Sequence, residues 1–249
     1  MLRTKSCDGP HSRWSGWFLD FRKERGAPYS ASAGIRVLVA CIFLEGLARP
    51  AVRETLRSFG FGSGDLGRLA LVTCLAILAI SLTAVWIRLP FSRIGLYGWG
   101  EWRKSERWFF PQIVVFSLFV FTLVEWKQLA ALAARPDWIR VTLVIFLGQV
   151  IWGFYQEYVY RGLLQTELVR QWGTVPGILV SNLLFTFGPL HAYHFSNLFE
   201  DPSRLLIFAA IFGIGLYFGV LFHRSGNLWI IAATHGLGDF FIDGLAMMK

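Results

Sequence analysis

Glu157 and Arg161 stand four residues apart, acid first, in the tract VIWGFYQEYVYRGLLQTELVRQWG from Val150 to Gly173. On a helix that spacing puts both side chains on one face, in the order that favours an ion pair. His191 follows in the next apolar run behind Gly188 and Pro189, and His235, Asp239 and Asp243 recur at successive i+4 steps near the end of the chain. A carboxylate, two imidazoles and a guanidinium converging on one polar cavity are the ingredients for activating water and stabilising an oxyanion. Each also has a plainer reading: a structural ion pair for Glu157 and Arg161, and a histidine at the membrane interface for His191. For His194 the interfacial reading is preferred.

These residues need elements that bring them to one depth. If the helix of Glu157 runs to a turn near Thr174, Glu157 and His191 lie equally far from that turn, roughly 25 Å at 1.5 Å of rise per residue. Measured from a turn near Ser225, His235 is about 15 Å deep and Asp239 about 21 Å. An antiparallel hairpin then brings carboxylate and imidazole together, with Gly188 and Pro189 loosening the helix where the site is buried or wet. Asp243 falls near the far interface.

The surrounding composition says that the elements are membrane helices. Of 249 residues, 55% are hydrophobic and only 16% charged, against about 25% charged in an ordinary soluble domain, and the mean hydropathy is +0.50. A bilayer span needs roughly 20 mostly apolar residues. Leu69 to Ile87, Trp108 to Val124 and Leu205 to Phe222 carry no charge, while Val141 to Tyr155, Trp172 to Phe199 and Ser225 to Met248 are apolar with polar interruptions. Ala31 to Ala48 is a weaker span because it must tolerate Arg36 and Glu45. The expectation is an all-α polytopic transmembrane bundle of six to eight spans, forming one domain over 31–249. Residues 1–30 are either a basic tail or an interfacial helix with Trp14, Trp17, Phe18 and Phe21 on its apolar face.

A formal net charge of +8 would suggest nucleic acid as a partner of a soluble protein. Here the Lys and Arg residues lie largely between apolar runs, so they read as loops against anionic lipid headgroups. The larger share falls on the amino-terminal side, which favours a cytoplasmic amino terminus and a multi-pass protein of the cell membrane. Cys7, Cys41 and Cys74 have neither CxxC nor metal-ligand spacing, so they supply no disulfide framework. The loop from Arg88 to Arg107, with Trp99, Trp102 and Trp108, reads as an interfacial aromatic belt.

Ionisable side chains at mid-bilayer depth cost about 2.5 to 3.5 kcal/mol each on insertion scales, so they mark polar interiors. In the second half of the chain they are Glu157, Arg161, Glu167, His191, His194, His235, Asp239 and Asp243, with Gln156 beside the first. QEYVYRG (Gln156 to Gly162), FGPLH (Phe187 to His191) and HGLGD (His235 to Asp239) resemble, in order and spacing, the motifs EExxxR, FxxxH and HxxxN/D of the CAAX-protease and bacteriocin-processing (CPBP) membrane proteins. The resemblance covers about Val141 to Phe240; the amino-terminal part is similar only as generic membrane helices.

The resemblance implies a glutamic-type intramembrane endopeptidase without a metal cofactor. In such a protein Glu157 is the surviving acid of the first motif and Arg161 its orienting cation, His191 helps to position and deprotonate water, and His235 with Asp239 forms the oxyanion side. The first glutamate of the pair is replaced here by Gln156, whose amide cannot accept a proton. Either Glu157 takes the role through local unwinding, or hydrolysis is lost and the chain is an immunity or peptide-binding factor. If Glu157 already serves as base, Gln156→Glu is expected to leave activity intact or raise it. A zinc site on Glu157, His191 and His235 is the neighbouring chemical alternative, and a transporter or channel using the same charges is a third class. Prenylated proteins, leader peptides and sorting tails are all compatible substrates, with membrane lipids as the other partner.

Overall fold

The computed structural model describes residues 31–61, 64–191 and 204–246, and among them the regular structure is entirely helical. The expected interfacial helix over 1–30 and His194 lie outside the described residues. Helix α1 (Ala31–Phe43) continues through a π-helical stretch (Leu44–Ala48) into α2 (Arg49–Ser58). Helix α3 (Asp65–Ser81) extends through Leu82–Ile87 and stops at Arg88, whose φ of 59° lies in the left-handed region. Next come α4 (Lys104–Val124) and the short α5 (Trp126–Ala133). A long rod follows, made of α6 (Trp138–Glu157), a π-helical stretch (Tyr158–Gln165) and α7 (Thr166–Trp172). It ends at Gly173, where φ is 86° and a side chain would be strained.

After this turn come α8 (Thr174–Phe187), α9 (Arg204–Ser225) and α10 (Leu228–Asp239), the last prolonged by a π-helical stretch (Phe240–Gly244). Among the described residues four helical segments are long and apolar enough to cross a bilayer: Asp65–Ile87, Lys104–Val124, Trp138–Trp172 and Leu205–Ser225. The span expected from Trp172 to Phe199 is interrupted. Helix α8 stops at Phe187, because Gly188 takes an extended conformation and Pro189 has no amide hydrogen to continue the ladder. His191 therefore sits on the turn beyond α8, not on a helix face.

Helix α10 packs most extensively on α6, and two glycines set how close they come. A Cβ on Gly153 would lie 2.6 Å from the backbone nitrogen of Gly236, and one on Gly236 would lie 2.7 Å from Cα of Val150. Small residues at a membrane-helix crossing let backbones meet in this way. Gly153→Ala must push α10 away beside His235, and the expected cost is about 1 to 3 kcal/mol, read as a lower midpoint of thermal unfolding in detergent micelles.

The other end of α10 is pinned by the loop before α4. Asn227 caps the helix by accepting from the Trp229 amide at 3.1 Å, and the Leu228 amide donates to the Gly95 carbonyl at 2.9 Å. Trp229 Nε1 donates to the Tyr97 carbonyl at 3.1 Å. Trp99 in that loop and Trp108 on the first turns of α4 are exposed as a belt requires, whereas Trp102 is buried against Phe110. The main core gathers Leu44, Leu75, Tyr158, Leu163, Phe222 and Ile230, so the amino-terminal rod packs directly on the π-helical stretch that follows Glu157.

Candidate active site

Glu157 is the last residue of α6 before the ladder widens, and it is fully buried. Its Oε1 accepts from His235 Nδ1 at 2.6 Å, and its Oε2 lies 3.5 Å from Arg161 Nε. A carboxylate only accepts, so Nδ1 of His235 carries the hydrogen. The π-helical stretch begins at Tyr158, and such interruptions of the i→i+4 ladder recur at functional sites. Here Gln156 and Glu157 both turn toward α10: the Gln156 amide donates to Asp239 Oδ2 at 3.3 Å while Glu157 holds His235.

Arg161 is likewise fully buried. One terminal nitrogen donates to the Gly215 carbonyl on α9 at 2.8 Å and reaches Asn182 Oδ1 on α8 at 3.4 Å, and the guanidinium stands 4.3 Å over the Phe185 ring. The planar fork therefore ties two helices, α8 and α9, to Glu157, which a lysine could not do. Oε2 of Glu157 has no hydrogen-bond partner among the described residues; at 3.5 Å from Arg161 Nε it is electrostatically held yet still able to accept.

Nε2 of His235 faces Asp239 Oδ1 at 3.5 Å, a distance too long for a good hydrogen bond. The ring is further fixed by Phe218, with centroids 5.1 Å apart. His191 is buried on its turn, with Nδ1 2.8 Å from the Phe185 carbonyl. That carbonyl can only accept, so in the neutral ring Nε2 carries the lone pair. Both imidazoles flank the Phe185 ring, with centroids at 4.9 Å for His191 and 6.1 Å for His235.

Glu157, Arg161, His235 and Asp239 are thus joined by direct contacts, together with Gln156, while His191 comes to the same neighbourhood through Phe185. Glu167 belongs elsewhere: fully buried, it pairs with Arg170 at 2.5 Å and accepts from Gln171. Asp243 is exposed, because the π-helical stretch after Asp239 takes it off the stripe. Among the described residues no three His, Cys, Asp or Glu side chains are grouped closely enough to hold a metal ion.

A second buried polar group is built on a residue that the sequence singles out only as a charge weakening the first span. Glu45, on the π-helical stretch of the amino-terminal rod, accepts from the Tyr155 hydroxyl at 2.8 Å and lies 3.7 Å from Arg49. Arg49 donates in turn to the Pro189 carbonyl, two residues before His191. A chain of polar contacts therefore runs from α6 next to Glu157, through the amino-terminal rod, to the turn of His191. Treating Glu45 as an intramembrane charge to be explained, as Glu157 was, would have found it; Tyr155 gave no signal in an aromatic-rich helix.

Residues 136–241 match the Rce1-like family model, described as type II CAAX prenyl endopeptidase Rce1-like. The matched stretch contains all three motifs and both helices that carry the Glu157–His235 contact, and it is consistent with membership of the CPBP family. No curated protein and no solved structure matches the chain.

Proposed function

We propose that this membrane protein, whose residues 136–241 have the Rce1-like character of a CAAX-type intramembrane endopeptidase, hydrolyses a peptide bond in a membrane-associated, lipidated peptide or protein, with Glu157 as the base. The observation that carries this reading is the 2.6 Å contact between Glu157 Oε1 and His235 Nδ1, with Oε2 left to accept from water. Water held between Oε2 and Nε2 of His191 loses a proton to Glu157 as its oxygen attacks the scissile carbonyl. The loose 3.5 Å approach to Asp239 leaves Nε2 of His235 to meet the oxyanion, and it donates there as the imidazolium, with Nδ1–H held by Glu157 and the Asp239 carboxylate beside Nε2. The proton on Glu157 then passes to the leaving amine, and the carboxylate is regenerated. Positioned acid–base groups contribute about 10² to 10⁴ in rate, and an oxyanion donor about 10² to 10³.

No metal enters this scheme. With the amino terminus on the cytoplasmic face of the cell membrane, the lipid anchor of the substrate stays in the bilayer while its peptide enters the bundle. Gln156 favours one other reading, a binding protein without hydrolysis. The test is a prenylated fluorogenic peptide offered to the purified chain in proteoliposomes. Cleavage that survives a chelator is expected, and tight binding without cleavage would support the alternative. Gln156→Glu replaces the donor facing Asp239 by a second carboxyl group, and two such groups at this distance share a proton. The variant is expected to keep hydrolysis, with its rate falling on the alkaline side where that proton is lost, as a pH–rate profile would record.

A further inference from the structure

Glu45 is buried on the face of the amino-terminal rod that meets the long rod, and its carboxyl group draws contacts from both sides of Glu157. Tyr155, two residues before Glu157, donates its hydroxyl to Oε1 at 2.8 Å. Tyr160, three residues after Glu157 and inside the π-helical stretch, offers a second hydroxyl to the same group. Oε2 faces Nη1 of Arg49 at 3.7 Å, and Nη2 of that guanidinium donates to the Pro189 carbonyl. Tyr160 meets the turn of His191 as well: its ring packs edge-on against Phe185 with centroids 5.2 Å apart, and its hydroxyl lies 3.8 Å from where a Cβ on Gly188 would stand. The Phe185 carbonyl is in turn the acceptor that holds Nδ1 of His191. One carboxyl group thus refers the turn of His191 to the helix of Glu157.

A buried ion pair adds little net stability over apolar side chains of similar volume, whereas a carboxylate and a guanidinium fork fix direction well. We propose that Glu45 and Arg49 are positioning residues of the hydrolytic reaction: Tyr155 and Tyr160 hold Glu45 to the helix of Glu157, and Arg49 carries that reference to the turn that aims His191. The inference rests on the hydrolytic reading above and adds to it two residues outside the matched stretch 136–241. Neither touches a reacting atom. What they set is the separation between Oε2 of Glu157 and Nε2 of His191, where water is held, and a misplacement of about 1 Å there costs up to about 10²-fold in rate. Glu157 has its own supports in His235 and Arg161. The turn of His191 is closed by the bond from its amide to the Gly188 carbonyl at 3.2 Å, and Pro189 has no amide hydrogen to add another, so the Arg49 contact governs where the ring points.

The test uses the full chain and two readouts. Glu45→Gln keeps the size and still accepts from Tyr155 but releases Arg49. Arg49→Gln removes the fork and, because Arg49 is partly exposed, serves where Glu45→Gln does not fold. In both, kcat for the prenylated peptide in proteoliposomes is expected to fall about 10- to 100-fold with KM changed less than about threefold, and Arg49→Lys to recover part of the loss. In a His191→Ala background Arg49→Gln is expected to change kcat by less than about twofold, since the group it aims is gone. The second readout is the ¹⁵N spectrum of the histidine-labelled chain, in which the His191 signal is identified by its absence from His191→Ala. The unmodified chain is expected to show a fixed Nδ1–H ring, and Arg49→Gln a ring that averages between its two tautomers. An undiminished kcat in Arg49→Gln, a loss of equal size with and without His191, or an unchanged His191 ring overturns the proposal. An unmodified chain that leaves the peptide uncut, yet whose His191 signal responds to Arg49→Gln, counts against the hydrolytic reading and leaves the positioning in place.

Discussion

Glu157→Gln is expected to lower hydrolysis of a prenylated peptide by about 10³-fold or more, because the amide cannot take the proton of the attacking water. The substitution keeps the side chain's size, so substrate binding should change far less than turnover. Its effect separates from misfolding by comparison with Glu157→Asp, which keeps the charge beside Arg161 but draws the carboxylate back from His235. Intermediate turnover in Glu157→Asp, with both proteins monodisperse in detergent, is the expected pattern. More than a tenth of the original rate in Glu157→Gln would remove Glu157 from the chemistry and move attention to Asp239.

The second large effect is on stability. Arg161 is fully buried and is held by Gly215, Asn182, the Phe185 face and Glu157. Arg161→Met fills a similar volume but removes the cation beside Glu157, leaving its charge to His235 alone. Breaking one side of a buried pair costs about 3 to 5 kcal/mol, whereas replacing both sides is often nearly neutral. The double variant Arg161→Met/Glu157→Gln should therefore unfold at a higher temperature than Arg161→Met alone, a coupling that a thermodynamic cycle would register. Simple addition of the two single effects would mean that the pair is not what fixes Arg161 in place.

The parts of this structure that were legible in the sequence are those governed by local spacing. The i+4 relation of Glu157 to Arg161 and of His235 to Asp239 survives as 3.5 Å approaches, the first even across the start of the π-helical stretch, because helical neighbours four apart stay on one side. The helical class and membrane character followed from the apolar runs, and the Thr174 turn lies one residue after Gly173. Hydropathy alone does not mark the end of α8 at Phe187; the extended Gly188 and the missing amide hydrogen of Pro189 set it. The partnership of Glu45 with Tyr155 was hidden for another reason. It joins residues 110 positions apart, and no periodicity within either helix records which face meets the other.

The contacts of the amino-terminal rod bear on how such proteins diversify. Glu45 and Arg49 lie outside the matched stretch 136–241, yet they tether its Tyr155 and Pro189. Grafted onto foreign helices, that stretch would carry its own acid and imidazoles but lose the external clamp on the segment bearing His191. Recombination between distant homologues should therefore be tolerated only where the incoming rod brings an equivalent acid and arginine, so that inheritance of the two parts is linked.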